Sequence, residues 1–267
     1  MLADYHTHTY LCKHASGEPE EYLRQAERAG LAEIGVSDHC PWPDGYDTEC
    51  RMAVEEYGLY RDITAKLQSL GSKVKVRIGL EVDWVPGQME IVREKVESGN
   101  FDYIIGSVHY VDDFPFDNPA MLEEWAKPGK QEWVWANYAS LLTEYIMNFD
   151  FEIIGHMDLP KKFGHFPCEM KKFMEKADYA FELAGAKNMS IELNTSGLRK
   201  PVKEIYPSLE ILKLAKFRGL TITLGSDAHH PSEVAANFKD AVELATLAGY
   251  KEFALYSARE ASLASLF

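Results

Sequence analysis

The stretch Asp4-Tyr5-His6-Thr7-His8-Thr9 follows a short apolar start, Met1-Leu2-Ala3. On an extended strand, residues i and i+2 share a face, so His6 and His8 present two imidazoles side by side, with Asp4 one step deeper. That spacing suits one metal ion. Taken alone it equally suits two packing histidines, and the rest of the chain decides between these.

Working outward, apolar runs rich in β-branched residues recur and alternate with segments of helical periodicity. Strands are expected near Leu2–Thr7, Glu33–Ser37, Lys73–Val82, Tyr103–His109, Phe151–Gly155, Ser190–Asn194 and Thr221–Gly225. Helices are expected over Glu18–Gly30, Glu49–Leu70, Gln88–Ser98, Glu132–Asn148, Cys168–Ala186, Ser208–Arg218 and Ser232–Ala248. In the first of these, Pro19 suits N1, Gly30 suits the C-terminal cap, and Tyr22, Ala26 and Ala29 form the inward stripe. Phe253–Tyr256 reads as a last short strand leading into a C-terminal turn of helix. Such β-α alternation predicts a parallel α/β sheet with helical crossovers. Seven strands in 267 residues favour a closed or nearly closed barrel over an open doubly wound sheet. A phosphate-binding glycine fingerprint after the first strand is absent, which disfavours a dinucleotide fold. Asp112–Lys130 is a long irregular insertion and Pro41–Asp47 a shorter one, both in positions open to functional loops. No linker-like tract divides the chain, so a single domain over 1–267 is expected.

The chain is 46% apolar and 26% charged, ordinary for a soluble globular protein. A formal charge of −14 argues against long nucleic acid as a partner. It leaves room for a small anionic substrate, because bound divalent ions reverse the local sign. Cys12, Cys40, Cys50 and Cys168 form no CxxC pair, so neither a zinc knuckle nor a disulfide framework is expected. No signal peptide or transmembrane run is apparent, and a reducing cytoplasm is the default expectation.

The chemistry-bearing residues fall at one recurring place, the C-terminal end of each expected strand. These ends carry His6 and His8, Ser37-Asp38-His39, Gly79-Leu80-Glu81-Val82-Asp83, Gly106-Ser107-Val108-His109, Gly155-His156-Met157-Asp158, Glu192 with Asn194, and Gly225-Ser226-Asp227-Ala228-His229-His230. In a parallel barrel these ends converge on one rim, where active sites are built. Of nine histidines seven lie at strand ends, and His14 and His165 lie in loops just beyond. Imidazoles and carboxylates together suit zinc, iron or manganese. Eight or nine such groups exceed the needs of one ion, so two or three divalent ions are implied, with Glu81 or Asp227 a candidate bridge. Clusters of this kind hydrolyse phosphate esters.

On these motifs, which run in order from residue 4 to 229, the sequence resembles the PHP (polymerase and histidinol phosphatase) family. Through Gly106-Ser107-Val108-His109 and Glu192-Leu193-Asn194-Thr195-Ser196-Gly197-Leu198-Arg199, it most resembles the monofunctional histidinol-phosphate phosphatase branch. The resemblance implies a distorted (β/α)7 barrel and a trinuclear metal centre. One ion would be held by His6, His8, Glu81 and Asp227, and a second by His14, His39 and His229. A third would be completed by Glu81, His109 and His156. It further implies hydrolysis of L-histidinol phosphate by in-line attack of a hydroxide bridging the ions. Arg199 is a candidate phosphoryl clamp, with Lys161 or Lys162 as a second cation. Asp158 could shape the site or protonate the leaving oxygen, and Glu192 and Asp83 could contact substrate. Asp38 could orient a ligand. For each of these a structural role competes. His230 and His165 read as non-ligands. The alternatives are another phosphoesterase specificity in the same family (nucleotide, phosphotyrosine or exonuclease), an amidohydrolase-like binuclear hydrolase, and a non-catalytic metal-binding protein. The lack of a lysine at the ends of strands four and five disfavours the amidohydrolase.

Overall fold

The computed structural model describes residues 1–43 and 45–267; Asp44, inside the Pro41–Asp47 loop, lies outside the described residues. The order is β1 (Ala3–Asp4), α1 (Pro19–Ala29), β2 (Glu33–Val36), α2 (Tyr57–Ser69), β3 (Lys75–Ile78), β4 (Glu81–Asp83), α3 (Glu90–Ser98) and β5 (Ile105–Ser107). A small hairpin of β6 (Tyr110–Val111) and β7 (Phe114–Pro115) follows, then α4 (Leu122–Trp125), α5 (Lys130–Asn148), β8 (Ile153–Ile154), α6 (Met170–Ala186) and β9 (Ser190–Asn194). The chain ends with α7 (Leu209–Phe217), β10 (Thr221–Gly225), α8 (Phe238–Leu247), β11 (Glu252–Ser257) and β12 (Glu260–Ser265).

Two parallel sheets, β1-β2-β3 and β10-β9-β8-β5-β4, form one ring. At one join the strand kinks between β3 and β4, and Glu81 N donates to the Asp38 carbonyl at 3.1 Å. At the other, Tyr5 N donates to the Leu224 carbonyl (3.0 Å) and Ala228 N to the His6 carbonyl (3.2 Å). β3 and β4 together occupy one position, so the ring has seven: the distorted (β/α)7 barrel. Its interior is filled, not hollow. Tyr5 and Tyr103 stack with ring centroids 4.8 Å apart, and Tyr103 Oη donates to the Tyr5 carbonyl. A Cβ on Gly35 would lie 1.8 Å from the Tyr103 hydroxyl, so only glycine admits that ring.

Three expected elements come out differently. α2 starts at Tyr57 rather than Glu49, preceded by a 3-10 turn at Val54–Glu56, because residues 47–50 form a turn that ties Arg51 to the rim. α8 starts at Phe238 rather than Ser232, because Ala235 and Asn237 adopt left-handed backbone. The expected C-terminal helical turn is strand β12, which pairs antiparallel with β11 across a turn in which Ala258 and Arg259 both have positive φ. This hairpin closes the N-terminal end of the barrel: Tyr256 N donates to Tyr5 Oη at 2.9 Å, and Arg259 Nε to Glu152 at 2.8 Å. On α1, Leu23 is buried and Ala29 exposed, so the inward stripe is Tyr22, Leu23 and Ala26. Residues 112–130 are more ordered than expected, holding β7, α4 and a 3-10 turn at Pro119–Met121. No helix among the described residues is long and apolar enough to cross a membrane.

Candidate metal centre

All nine expected ligand positions meet at the C-terminal rim of the barrel. β1 runs on into His6 and His8, β2 into His39, β5 into His109, β8 into His156, and β10 into Asp227 and His229, while Glu81 opens β4. His14 returns to the rim because a 3-10 turn (Tyr10–Cys12) ends in left-handed Lys13. Its Nδ1 lies 2.8 Å from the Cys12 carbonyl, and its ring stacks on His229 at 4.4 Å.

Glu81 is the hub. Its Oε2 lies 2.9 Å from His39 Nδ1, 3.3 Å from His6 Nε2 and 3.7 Å from His8 Nε2. Its Oε1 lies 2.9 Å from His156 Nε2 and 3.6 Å from His109 Nε2, and accepts from Ser107 Oγ at 2.6 Å. Asp227 Oδ1 lies 3.3 Å from His8 Nε2 and 3.8 Å from His6 Nε2. Among the described residues five groups have ligand atoms close enough to share an ion. Three match the expected sets (His6, His8 and Glu81; His14, His39 and His229; Glu81, His109 and His156), and the others are His8, Cys12 and His229, and His39, Asp83 and His109. His6 Nε2, His8 Nε2, His39 Nδ1, His229 Nε2 and Glu81 Oε2 are all buried without a hydrogen-bond partner. Buried polar atoms are ordinarily satisfied, so convergent orphans of this chemistry fit a divalent cation. Burial opposes ionisation of Glu81, but His39 and His6 hold its carboxyl well below the usual range. Burial likewise opposes ionisation of Asp227, which His6 and His8 hold low. Both are therefore available as anionic ligands. The Cys12 thiol beside His8 and His229 is pushed up to about 12 by burial and by Asp38, so it stays protonated.

Behind the ligands stands a set of carboxylates. Glu192 Oε1 accepts from His6 Nδ1 at 2.6 Å, and its Oε2 accepts from His156 N at 2.7 Å. Asp83 Oδ1 lies 2.7 Å from His109 Nδ1, and its Oδ2 accepts from Arg51 at 2.5 Å. Each hydrogen bond leaves the other ring nitrogen, Nε2, facing Glu81, the tautomer a ligand needs. Glu192 and Asp83 are thus buried against the rim histidines and do not line the cavity where a substrate contact was expected. Asp38 accepts from Thr9 N (2.7 Å) and Oγ1, and its contact to His8 Nδ1, at 3.6 Å, is too long for a hydrogen bond. Asp4 accepts from Ser226 N and Ala235 N, both at 2.9 Å, fixing the loop that delivers Asp227.

A cavity of about 390 Å³ opens over the cluster, lined by His14, His39, Glu81, His109, His156, Asp227 and His229. Its cations are Lys162 and Lys200. Arg199, Asp158 and Lys161 do not line it. Arg199 turns back onto the Ser226 carbonyl (2.7 Å) and Glu233 (3.2 Å), because the 3-10 turn Thr195–Arg199 points it at the end of β10. Asp158 and Lys161 pair at 3.0 Å on the far side of another 3-10 turn, Leu159–Phe163. With three residues per turn, Leu159 and Lys162 share the face toward the cavity, and Asp158 and Lys161 share the opposite one. Lys162 Nζ is held by the Asp117 carbonyl (2.7 Å) and carboxylate (3.0 Å). Lys200 follows the strand-six motif directly, yet only the turn geometry distinguishes it from Arg199. His230 is exposed, and His165 stacks on Trp125 at 4.4 Å; neither reaches the cluster.

The chain is similar to known proteins. A "Probable histidinol-phosphatase" from Deinococcus radiodurans is 38% identical over 243 residues, 91% of this chain and 92% of that protein. A "Histidinol-phosphatase" from Lactococcus lactis is 26% identical over 259 residues, 95% and 94% of the two chains. The fold matches the crystal structure of histidinol phosphate phosphatase from Lactococcus lactis complexed with zinc, L-histidinol and phosphate. That superposition has a TM-score of 0.80 at 22% identity and covers 98% of each chain. The PHP domain model matches residues 4–196, most of the barrel and all but two of the nine expected ligand positions, and the chain therefore belongs to the PHP domain family.

Proposed function

We propose that this protein is a metal-dependent phosphomonoesterase that hydrolyses L-histidinol phosphate to L-histidinol and inorganic phosphate. The observation that carries it is the position of Glu81, with one oxygen facing His6, His8 and His39 and the other facing His109 and His156. A carboxylate so placed suits a bridge between ions. The ligand sets proposed are His6, His8, Glu81 and Asp227; His14, His39 and His229; and Glu81, His109 and His156. Two or three divalent ions, with zinc, iron or manganese matching the donor set, would lower the charge on a phosphoryl group and acidify a water.

The chain's own residues supply the rest. Glu192 and Asp83 hold His6 and His109 in the ligating tautomer. Lys162 and Lys200 place two positive charges on the cavity wall to receive a phosphoryl group. Asp47 and Asp117, paired with Arg51 and Lys162, line the same cavity and offer carboxylates to an ammonium-bearing leaving group. The close relatives' names support histidinol phosphate as the substrate, and the small cavity suits a monoester better than a polymer. We further infer that residues 1–267 act as one domain, since the β11–β12 hairpin completes the barrel floor.

Phosphate release from L-histidinol phosphate, a nucleoside monophosphate, phosphotyrosine and a phosphodiester by the metal-replete protein tests this. Preference for L-histidinol phosphate is expected. No release from any of them overturns the enzyme, and equal rates on all overturn the specificity.

A further inference from the structure

Across the Leu159–Phe163 turn from the metal cavity lies a second cavity, of about 560 Å³. It falls in the size range of small-molecule sites. Leu198, Ile205, Leu209, Ile211, Leu244 and Leu247 make its walls apolar. Its floor is polar and buried. Asp158 is 2% exposed; its Oδ2 accepts from Ser208 N (2.9 Å) and pairs with Lys161, while its Oδ1 is buried with no partner. Ser208 Oγ, on the same lining, is also without a partner. An unsatisfied carboxylate oxygen is costly, and a donor arriving with a ligand would relieve it.

The charge around this floor has one sign to spare. Lys161 is the one cationic residue among the described lining residues, and it is already engaged by Asp158, by Glu204 at 3.1 Å and by the Ile205 carbonyl at 2.9 Å. Glu204, Glu210, Asp240 and Glu243 stand around the cavity, exposed at its mouth. An anion would meet these acids with no free counter-charge. A neutral apolar molecule would leave Asp158 Oδ1 as it is. A cation on an apolar body satisfies both halves of the lining.

The geometry points to a second, non-catalytic binding site for a small amphipathic primary amine, its ammonium at the Asp158 carboxylate and its hydrocarbon body against the leucine and isoleucine walls. The site is separate from the metal cavity, and its assignment does not depend on which phosphoester that cavity takes. It shares one 3-10 turn with that cavity, so its occupant sits back to back with Lys162.

Titration of the zinc-loaded, isotope-labelled protein with phenethylamine, followed by amide NMR shifts, tests the site. Saturable shifts are expected at Ser208, Leu209, Glu243 and Leu244. Because a charge-assisted hydrogen bond is at stake, 2-phenylethanol should bind at least ~10-fold more weakly and 3-phenylpropionate more weakly still. D158N should weaken the amine and leave the alcohol unchanged. L244W and, from the mouth, L247W should each fill the space and abolish saturation, and either one suffices if the other does not fold. Non-saturable shifts, equal binding of amine and alcohol, shifts confined to the metal cavity, or saturation retained in a folded blocking variant would overturn the proposal.

Discussion

Glu192 and His6, 186 positions apart in the chain, are joined by a 2.6 Å hydrogen bond between Oε1 and Nδ1 in a fully buried setting. The bond crosses from β9 to the end of β1, past the backbone of β10. It is possible only because position 225 is glycine: a Cβ there would lie 1.9 Å from Glu192 Oε1 and 2.8 Å from His6 Cβ.

Glu192→Gln replaces one acceptor by an amide NH2 that must face either the His6 ring or the His156 N–H. Metal affinity should fall about 10–100-fold, with activity restored by added zinc. Zinc titration of phosphatase activity checks this; an unchanged zinc requirement would contradict the orienting role.

Gly225→Ala forces a methyl group into the same contact. A loss of about 1–3 kcal/mol in folding free energy is expected, as for overpacked cores, together with weaker metal retention. Urea unfolding and elemental analysis measure the two effects.

Glu81→Gln should remove more than one equivalent of metal and lower kcat by at least ~100-fold, since the two carboxylate oxygens serve different histidine sets. Metal content per chain is the decisive readout. Loss of a single equivalent would refute the bridge.

The neighbours Lys161 and Lys162 should part company. Lys162→Ala removes a cavity-wall charge and should raise KM about 10-fold or more, with a smaller cost in stability because its partner Asp117 is partly exposed. Lys161→Ala strands Asp158 buried without its counter-ion and should cost about 3–5 kcal/mol of stability. Parallel KM and unfolding measurements separate the two.

Far from the metals, Arg77 grips Glu33 with two nitrogens, at 2.8 and 2.9 Å, while Tyr5 Oη donates to the same carboxylate. Burial raises the Glu33 carboxyl, but Arg77 and Tyr5 outweigh it and hold the group below its ordinary value. The folded state therefore binds this proton less readily than the unfolded chain. The stabilisation is complete above the unfolded value of about 4.3 and is lost as pH falls through the lower, folded one. Glu33→Gln should destabilise by about 1.5–3 kcal/mol at neutral pH, and the deficit should narrow as the pH drops through that window. Unfolding of both chelated proteins at several pH values tests it; a gap independent of pH would contradict the linkage.

The rim was legible because most of its candidate ligands follow a strand that announces itself by a β-branched apolar run, as Ile34-Gly35-Val36 announces His39; His14, in a loop, has no such herald. What lies behind the rim was not. Whether Glu192 faces substrate or His6 depends on which strand stands opposite, and that neighbour is 186 residues away. At 158–162 the strand end was read correctly, but a 3-10 turn repeats every three residues, so the side chain presented to the cavity is Lys162 and not Lys161. β12 escaped notice because its side chains are mostly exposed and its turn uses Ala258-Arg259, without the glycine or asparagine that usually marks a two-residue hairpin.

The strand that carries His6 and His8 lies between β2 and β10, so one of its edges waits for a partner that comes more than two hundred residues later. A chain emerging from the ribosome exposes that edge until residues 221–225 have been made. Ring closure is thus a late event, governed by contacts of high sequence separation and slow for that reason. The same event brings Asp227 and His229 to the first histidines. A truncated or stalled chain would hold a fragment of the rim and an open flank, which makes early metal capture and self-association the characteristic hazards of its synthesis.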